Sequence, residues 1–81
     1  MEKLVKIGEN EKGIFYKNFL TQDFGDGYKI VLFQFKDTGY REYLLLKDDK
    51  PVFNSIRIED IWDRHDMLKD LEKRKELENE N

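Results

Sequence analysis

Cysteine is absent from this chain. Its absence excludes disulfides and every thiolate metal site, and nothing in the composition argues for an oxidising compartment. Histidine and proline occur once each. A lone histidine rules out motifs that set two imidazoles on one helical face. No apolar stretch approaches the ~18 residues of a membrane-spanning helix. Met1-Glu2-Lys3-Leu4-Val5-Lys6 is broken by charge before any apolar run develops, so it does not read as a signal peptide. A soluble, cytoplasmic protein with no membrane partner is the expectation. Strong charge of one sign is missing too: 15 Lys/Arg face 18 Asp/Glu, for a net −3. Duplex-DNA binders carry a basic stripe and a high pI, and here the two signs are interleaved.

What is present is one small, highly charged domain of 81 residues. A chain of this size buries only about 60% of the surface it exposes when unfolded. Such a core rarely supplies more than ~3–5 kcal/mol. The two parts of the chain differ. Residues 1–58 carry ten Lys/Arg against nine Asp/Glu, whereas 59–81 carry five against nine. The acidity is C-terminal.

Turn residues divide the chain into apolar runs. Leu4–Ile7 is a short edge strand ended by Gly8-Glu9-Asn10, and Gly13–Leu20 reads as an aromatic-rich strand. Gly25-Asp26-Gly27 is a turn cluster. Tyr28–Phe35 is the strongest strand, and Asp37-Thr38-Gly39 is a hairpin connection with Gly39 in the left-handed position. Tyr40–Leu46 returns, and a last edge strand, Val52-Phe53 through Ile56-Arg57, follows Pro51, which cannot donate inside a ladder. Tyr28, Ile30 and Leu32 point to one side of the strongest strand; Val31, Phe33 and Phe35 point to the other. Both faces are apolar, the mark of a central strand covered twice.

Only one segment can form a cover. At ~100° per residue, Ile58, Ile61, Trp62, His65, Leu68 and Leu71 fall on an arc about 180° wide. The spacing predicts a helix from about Ile58 that docks through Leu71, with Trp62 pinning it to the sheet. Residues 72–81 are then a charged, exposed helix end. A two-faced sheet with one lid must close on itself, dimerise or offer its second face to a partner.

Catalytic chemistry finds little footing. His65, flanked by Asp63 and Asp66, lies inside the apolar arc and reads as a packed, hydrogen-bonded histidine. Asp23-Phe24-Gly25 matches three letters of a kinase motif without its companions. Asp23, Asp26 and Gly27 do not meet the calcium-loop template, and no phosphate-cradling glycine loop is present. No enzyme, no cofactor and no metal is expected.

The aromatic residues are the stronger signal. Phe15, Tyr16, Phe19, Tyr28, Phe33, Phe35, Tyr40, Tyr43 and Phe53 lie on expected strands with Lys17, Lys29, Lys36, Arg41 and Lys47 among them. Stacking plus phosphate contact is how single-stranded nucleic acid is gripped, with Lys29, Lys36 and Arg41 on the ridge. A meander followed by an amphipathic helix resembles in architecture the single-strand-binding coactivators. The competing assignment makes these aromatics core. In general character the chain resembles small acidic accessory and inhibitor proteins of bacteriophages and other mobile elements.

The sequence therefore implies an α+β domain over residues 1–71, an antiparallel meander of four to five strands against one C-terminal helix. The expected function is non-enzymatic binding of a protein partner, a host target or a second copy in a homodimer. Tyr16, Tyr28, Tyr40 or Tyr43 would anchor it at the edge of the uncovered sheet face. Single-stranded nucleic-acid binding and structural homo-oligomer formation are the alternatives.

Overall fold

The computed structural model describes residues 3–79, with side chains as far as residue 75. In chain order the elements are β1 (Val5–Glu9), β2 (Gly13–Lys17), β3 (Gln22–Asp23), β4 (Tyr28–Phe35), β5 (Arg41–Lys47), β6 (Lys50–Ser55) and α1 (Ile58–Asn79). All pairings are antiparallel, in the order β1-β2-β4-β5-β6, with β3 also on β4. The domain is an α+β meander with one C-terminal helix.

The aromatic run after Gly13 is not one strand. It leaves the sheet at Asn18, whose Oδ1 accepts the amides of Leu20 (2.8 Å) and Thr21 (3.2 Å). The Thr21 hydroxyl closes the loop by accepting the Asn18 amide and donating to its carbonyl. An Asn side chain that satisfies nearby amides competes with the ladder, and here it wins. The chain rejoins the same edge of β4 as β3. Phe19 is thrown outward and is 81% exposed.

The β4–β5 and β5–β6 hairpins rest on left-handed residues. Gly39 (φ 75°) ends the β4–β5 loop, where the Phe35 amide donates to the Tyr40 carbonyl. Asp48 (φ 50°) and Asp49 (φ 68°) form the two-residue β5–β6 turn. Such a turn needs positive φ twice, a conformation that costs residues other than glycine about 1–2 kcal/mol.

The register assigns the faces. Tyr16, Leu32 and Tyr43 lie across from one another, as do Ile30, Leu45 and Phe53. This is the helix side. Its core of Tyr28, Ile30, Leu45, Ile58 and Ile61 is supported by Leu20, Phe24, Tyr43, Phe53 and Leu68. On the opposite side Val31, Phe33, Leu44 and Leu46 are buried with Phe15 and Phe35 packed on them. Val5, Ile7 and Val52 of the outer strands are about half exposed, whereas that second core is built only from strand residues. Gly13 is part of it: a Cβ there would meet the Gln34 carbonyl at 2.3 Å and the Phe33 ring at 2.5 Å.

The helix begins where expected but docks on a narrower stripe. Ile58 and Ile61 are buried, whereas Trp62 is 38% and Leu71 45% exposed. The arc was right in direction and too wide: one sheet contact covers roughly 100°, and these two residues lie on its rims. Trp62 is therefore not the pin; Ile61, with no exposed surface, is. Docking also continues past Leu71, because the Glu72 side chain bonds back to the sheet. A helix of 22 residues is about 33 Å long, and it lengthens the molecule to 50 × 27 × 19 Å. Residues 80–81 and the side chains of 76–79, part of the expected charged tail, lie outside the described residues.

Candidate interaction surface

Polar side chains concentrate at the end of the sheet where α1 crosses the 24–28 turn. Asp26 Oδ1 accepts the Tyr28 amide (2.9 Å), and its Oδ2 meets His65 Nε2 at 3.0 Å. Since a carboxylate only accepts, the imidazole donates there. The His65 ring stacks on Phe24 with centroids 3.8 Å apart and meets the edge of Tyr28 at 5.2 Å. Lys69 Nζ approaches Asp26 at 3.5 Å. The Tyr28 hydroxyl donates to Glu72 (2.9 Å), which also faces Lys47 at 3.7 Å. Lys47 lies over the Tyr28 ring and donates to the Asp26 carbonyl.

The electrostatics follow from this packing. Burial pushes the Asp26 carboxyl up, but the His65 hydrogen bond, the Tyr28 amide and the charges of His65 and Lys69 outweigh it and hold it at about 2. Burial, then the hydrogen bond to Glu72, pushes the Tyr28 phenol up to about 12. Perturbed titration marks functional sites and structural networks alike. Here each group is engaged with another group of the same cluster, and no hydroxyl nucleophile is hydrogen-bonded to His65 among the described residues. The arrangement fastens helix to sheet, and His65 is the packed histidine its place in the apolar arc implied.

The opposite end of the sheet has no helix over it. There a groove of about 370 Å³ is lined by Phe35, Asp37, Thr38, Tyr40, Arg41, Glu42 and Ile56. Tyr40 is 74% and Ile56 78% exposed. A neighbouring groove shares Phe35 and Asp37 and adds Glu11, Lys12 and Lys36. Glu42 accepts from Asn54 and Arg41 donates to Gln34, which holds both charges at the rim.

The residues singled out from sequence are dispersed over this framework. Tyr28 is buried beneath α1 and is no surface anchor. Tyr16 and Tyr43, both half-buried, share the helix-bearing face with it. Tyr43 packs on the core, and its hydroxyl accepts from Asn18. Only Tyr40 and Arg41 meet in one place, at the open groove. The expected basic ridge does not assemble. Lys29 points to the far face at one end of β4 and pairs with Asp49 at 2.6 Å. Lys36, seven residues along and roughly 23 Å away at strand rise, pairs with Glu9 at 2.8 Å. That pair, followed by Lys6, holds the Glu9 carboxyl at about 2. Arg41 lies on the helix-side face beside Gln34.

Two important residues gave no sequence signal of their roles. Ile56, expected inside the last strand, instead falls between Ser55, where that strand ends, and Ile58, where the helix begins. Asp26 looked like turn punctuation, and only the fold brings His65 to it across 39 residues. Among the described residues no helix is long and apolar enough to cross a membrane, and no group of three or more His, Asp or Glu is placed to hold a metal. No protein-family model matches the chain, and no curated protein or solved structure matches it.

Proposed function

We propose that this protein is a small non-enzymatic interaction module that binds a protein partner through the helix-free end of its sheet, and that the partner is a second copy of the chain. One observation carries the reading. Tyr40 and Ile56, two of the most exposed large apolar side chains in the molecule, bracket a single groove. Exposed aromatic and aliphatic anchors around a partly apolar pocket are what interface hot spots are made of. The groove carries both signs, Arg41 with Asp37 and Glu42. An isologous two-fold contact sets each patch against itself, and mixed charge lets every side chain find its opposite.

The reading does not rest on the far face of the sheet, whose central residues Val31, Phe33, Leu44 and Leu46 are buried. A larger target protein, bound in the manner of an inhibitor or accessory factor, is the form the function takes if the chain is monomeric. Single-stranded nucleic-acid binding is the weaker alternative, because Lys29 and Lys36 are separated and each is paired with an acid.

Cross-linking and sedimentation of the wild type beside the Tyr40→Ala, Ile56→Ala double variant test the proposal. Self-association that the double variant loses, with folding intact, supports it. A wild type that stays monomeric removes the second copy as partner. Fluorescence anisotropy with single-stranded oligonucleotides at low and high salt tests the alternative, whose affinity would fall steeply as salt rises.

A further inference from the structure

The helix is attached in two chemically different ways. Its first turn is fixed by burial, with Ile58 and Ile61 inside the helix-side core. From His65 onward the apolar grip is slight: Leu68 is partly buried, while Met67 and Leu71 are each almost half exposed. Polar contacts hold that half instead, His65 and Lys69 on Asp26 and Glu72 on Tyr28 and Lys47. Partly exposed ion pairs of this kind contribute little individually, so the arm opens more readily than the core it lies on.

We propose that the part of α1 from His65 to Lys75 is a releasable arm, latched by the Asp26–His65–Lys69 and Tyr28–Glu72–Lys47 contacts and hinged where Ile58 and Ile61 are buried. It lifts from the sheet while the strands stay folded. Lifting uncovers the Phe24 ring and the Tyr28 phenol, which the arm now covers through His65 and Glu72. The device responds to acid through Asp26. The groups facing that carboxylate or its neighbour Tyr28 are His65, Lys69 and Glu72 from the helix, with Asp66 on the other ring nitrogen of His65, and Lys47 and Asp48 from the end of β5 and its turn. Protonating Asp26 removes the acceptor that His65 and Lys69 share. The bond from the Tyr28 hydroxyl to Glu72 and the contacts of Glu72 with Lys47 and Lys69 do not involve Asp26 and are the part of the latch that remains. This inference is independent of the groove at the opposite end, and either stands if the other fails.

Amide hydrogen exchange of the full chain reads the device directly, because an undocked helical segment this short frays in water. Wild type, Asp26→Asn and Lys69→Gln are compared near neutral pH. The expected result is exchange over residues 65–75 about tenfold faster in Asp26→Asn, with β4, β5 and the first turn of α1 unchanged. Lys69→Gln shifts the same segment by a smaller factor and, being a surface change, keeps a folded readout if Asp26→Asn does not fold. In the wild type, acidification below about pH 4 reproduces the pattern after correction for intrinsic rates, and Asp26→Asn loses that response. Helix and strands losing protection together, or a segment indifferent to both variants, overturns the proposal.

Discussion

The two ends of the sheet are built on opposite terms. At the covered end a turn, a strand terminus and a helix bring seven polar or aromatic side chains together, and every one of them finds a partner inside the molecule. At the open end the groove leaves Tyr40 and Ile56 largely exposed. Burial and saturation at one end serve folding. The unspent apolar surface at the other is where the proposed partner would bind.

That contrast is breakable, starting with the largest effect. Ile61→Ala empties the centre of the helix contact and should cost about 2–5 kcal/mol in denaturant unfolding. Trp62→Ala, on the rim, should cost less than about 1 kcal/mol, since its ring already meets solvent. Equal losses would return Trp62 to the role of pin. Gly13→Ala is expected to cost about 1–3 kcal/mol or more by overpacking, because the nearest atom to the new methyl is the Gln34 carbonyl oxygen, which the ladder holds.

Acid should act mainly at the covered end. Asp26 titrates near 2 when folded against an ordinary 3.8. A depressed folded value means that its contribution is complete above about pH 4 and is lost as pH falls towards 2. That contribution is on the order of 1 kcal/mol after solvent screening. Thermal unfolding of Asp26→Asn followed over this range should show a correspondingly flatter acid limb. The smallest effect belongs to the β5–β6 turn. Asp49→Gly relieves a left-handed residue (φ 68°) at the loss of an exposed pair with Lys29. A gain of up to about 1 kcal/mol is expected, and a loss would show that the pair outweighs the backbone.

The same contrast marks how far the sequence was legible. Periodicity carried well. Tyr28–Phe35 and the helix start at Ile58 were readable because strand and helix periods act locally, and the two-sided apolar pattern of β4 announced two cores. What failed depended on contacts distant in sequence or on side chains replacing backbone. Asn18 ended a strand whose composition favoured its continuation. The width of the docked arc depended on how much sheet lay beneath it, which no helical wheel contains. Tyr28 looked like a surface anchor until the helix was placed over it. Of the candidate binding residues, Tyr40 and Arg41 share the open groove because they are neighbours in a hairpin, while Lys29 and Lys36 were separated by the length of β4.

Light scattering across micromolar concentrations tests the central claim most directly, with wild type and the Tyr40→Ala, Ile56→Ala variant measured side by side. The account predicts a concentration-dependent dimer for the wild type and a monomer of unchanged melting temperature for the variant. A variant that associates as the wild type does would contradict it, as would a wild type that stays monomeric throughout.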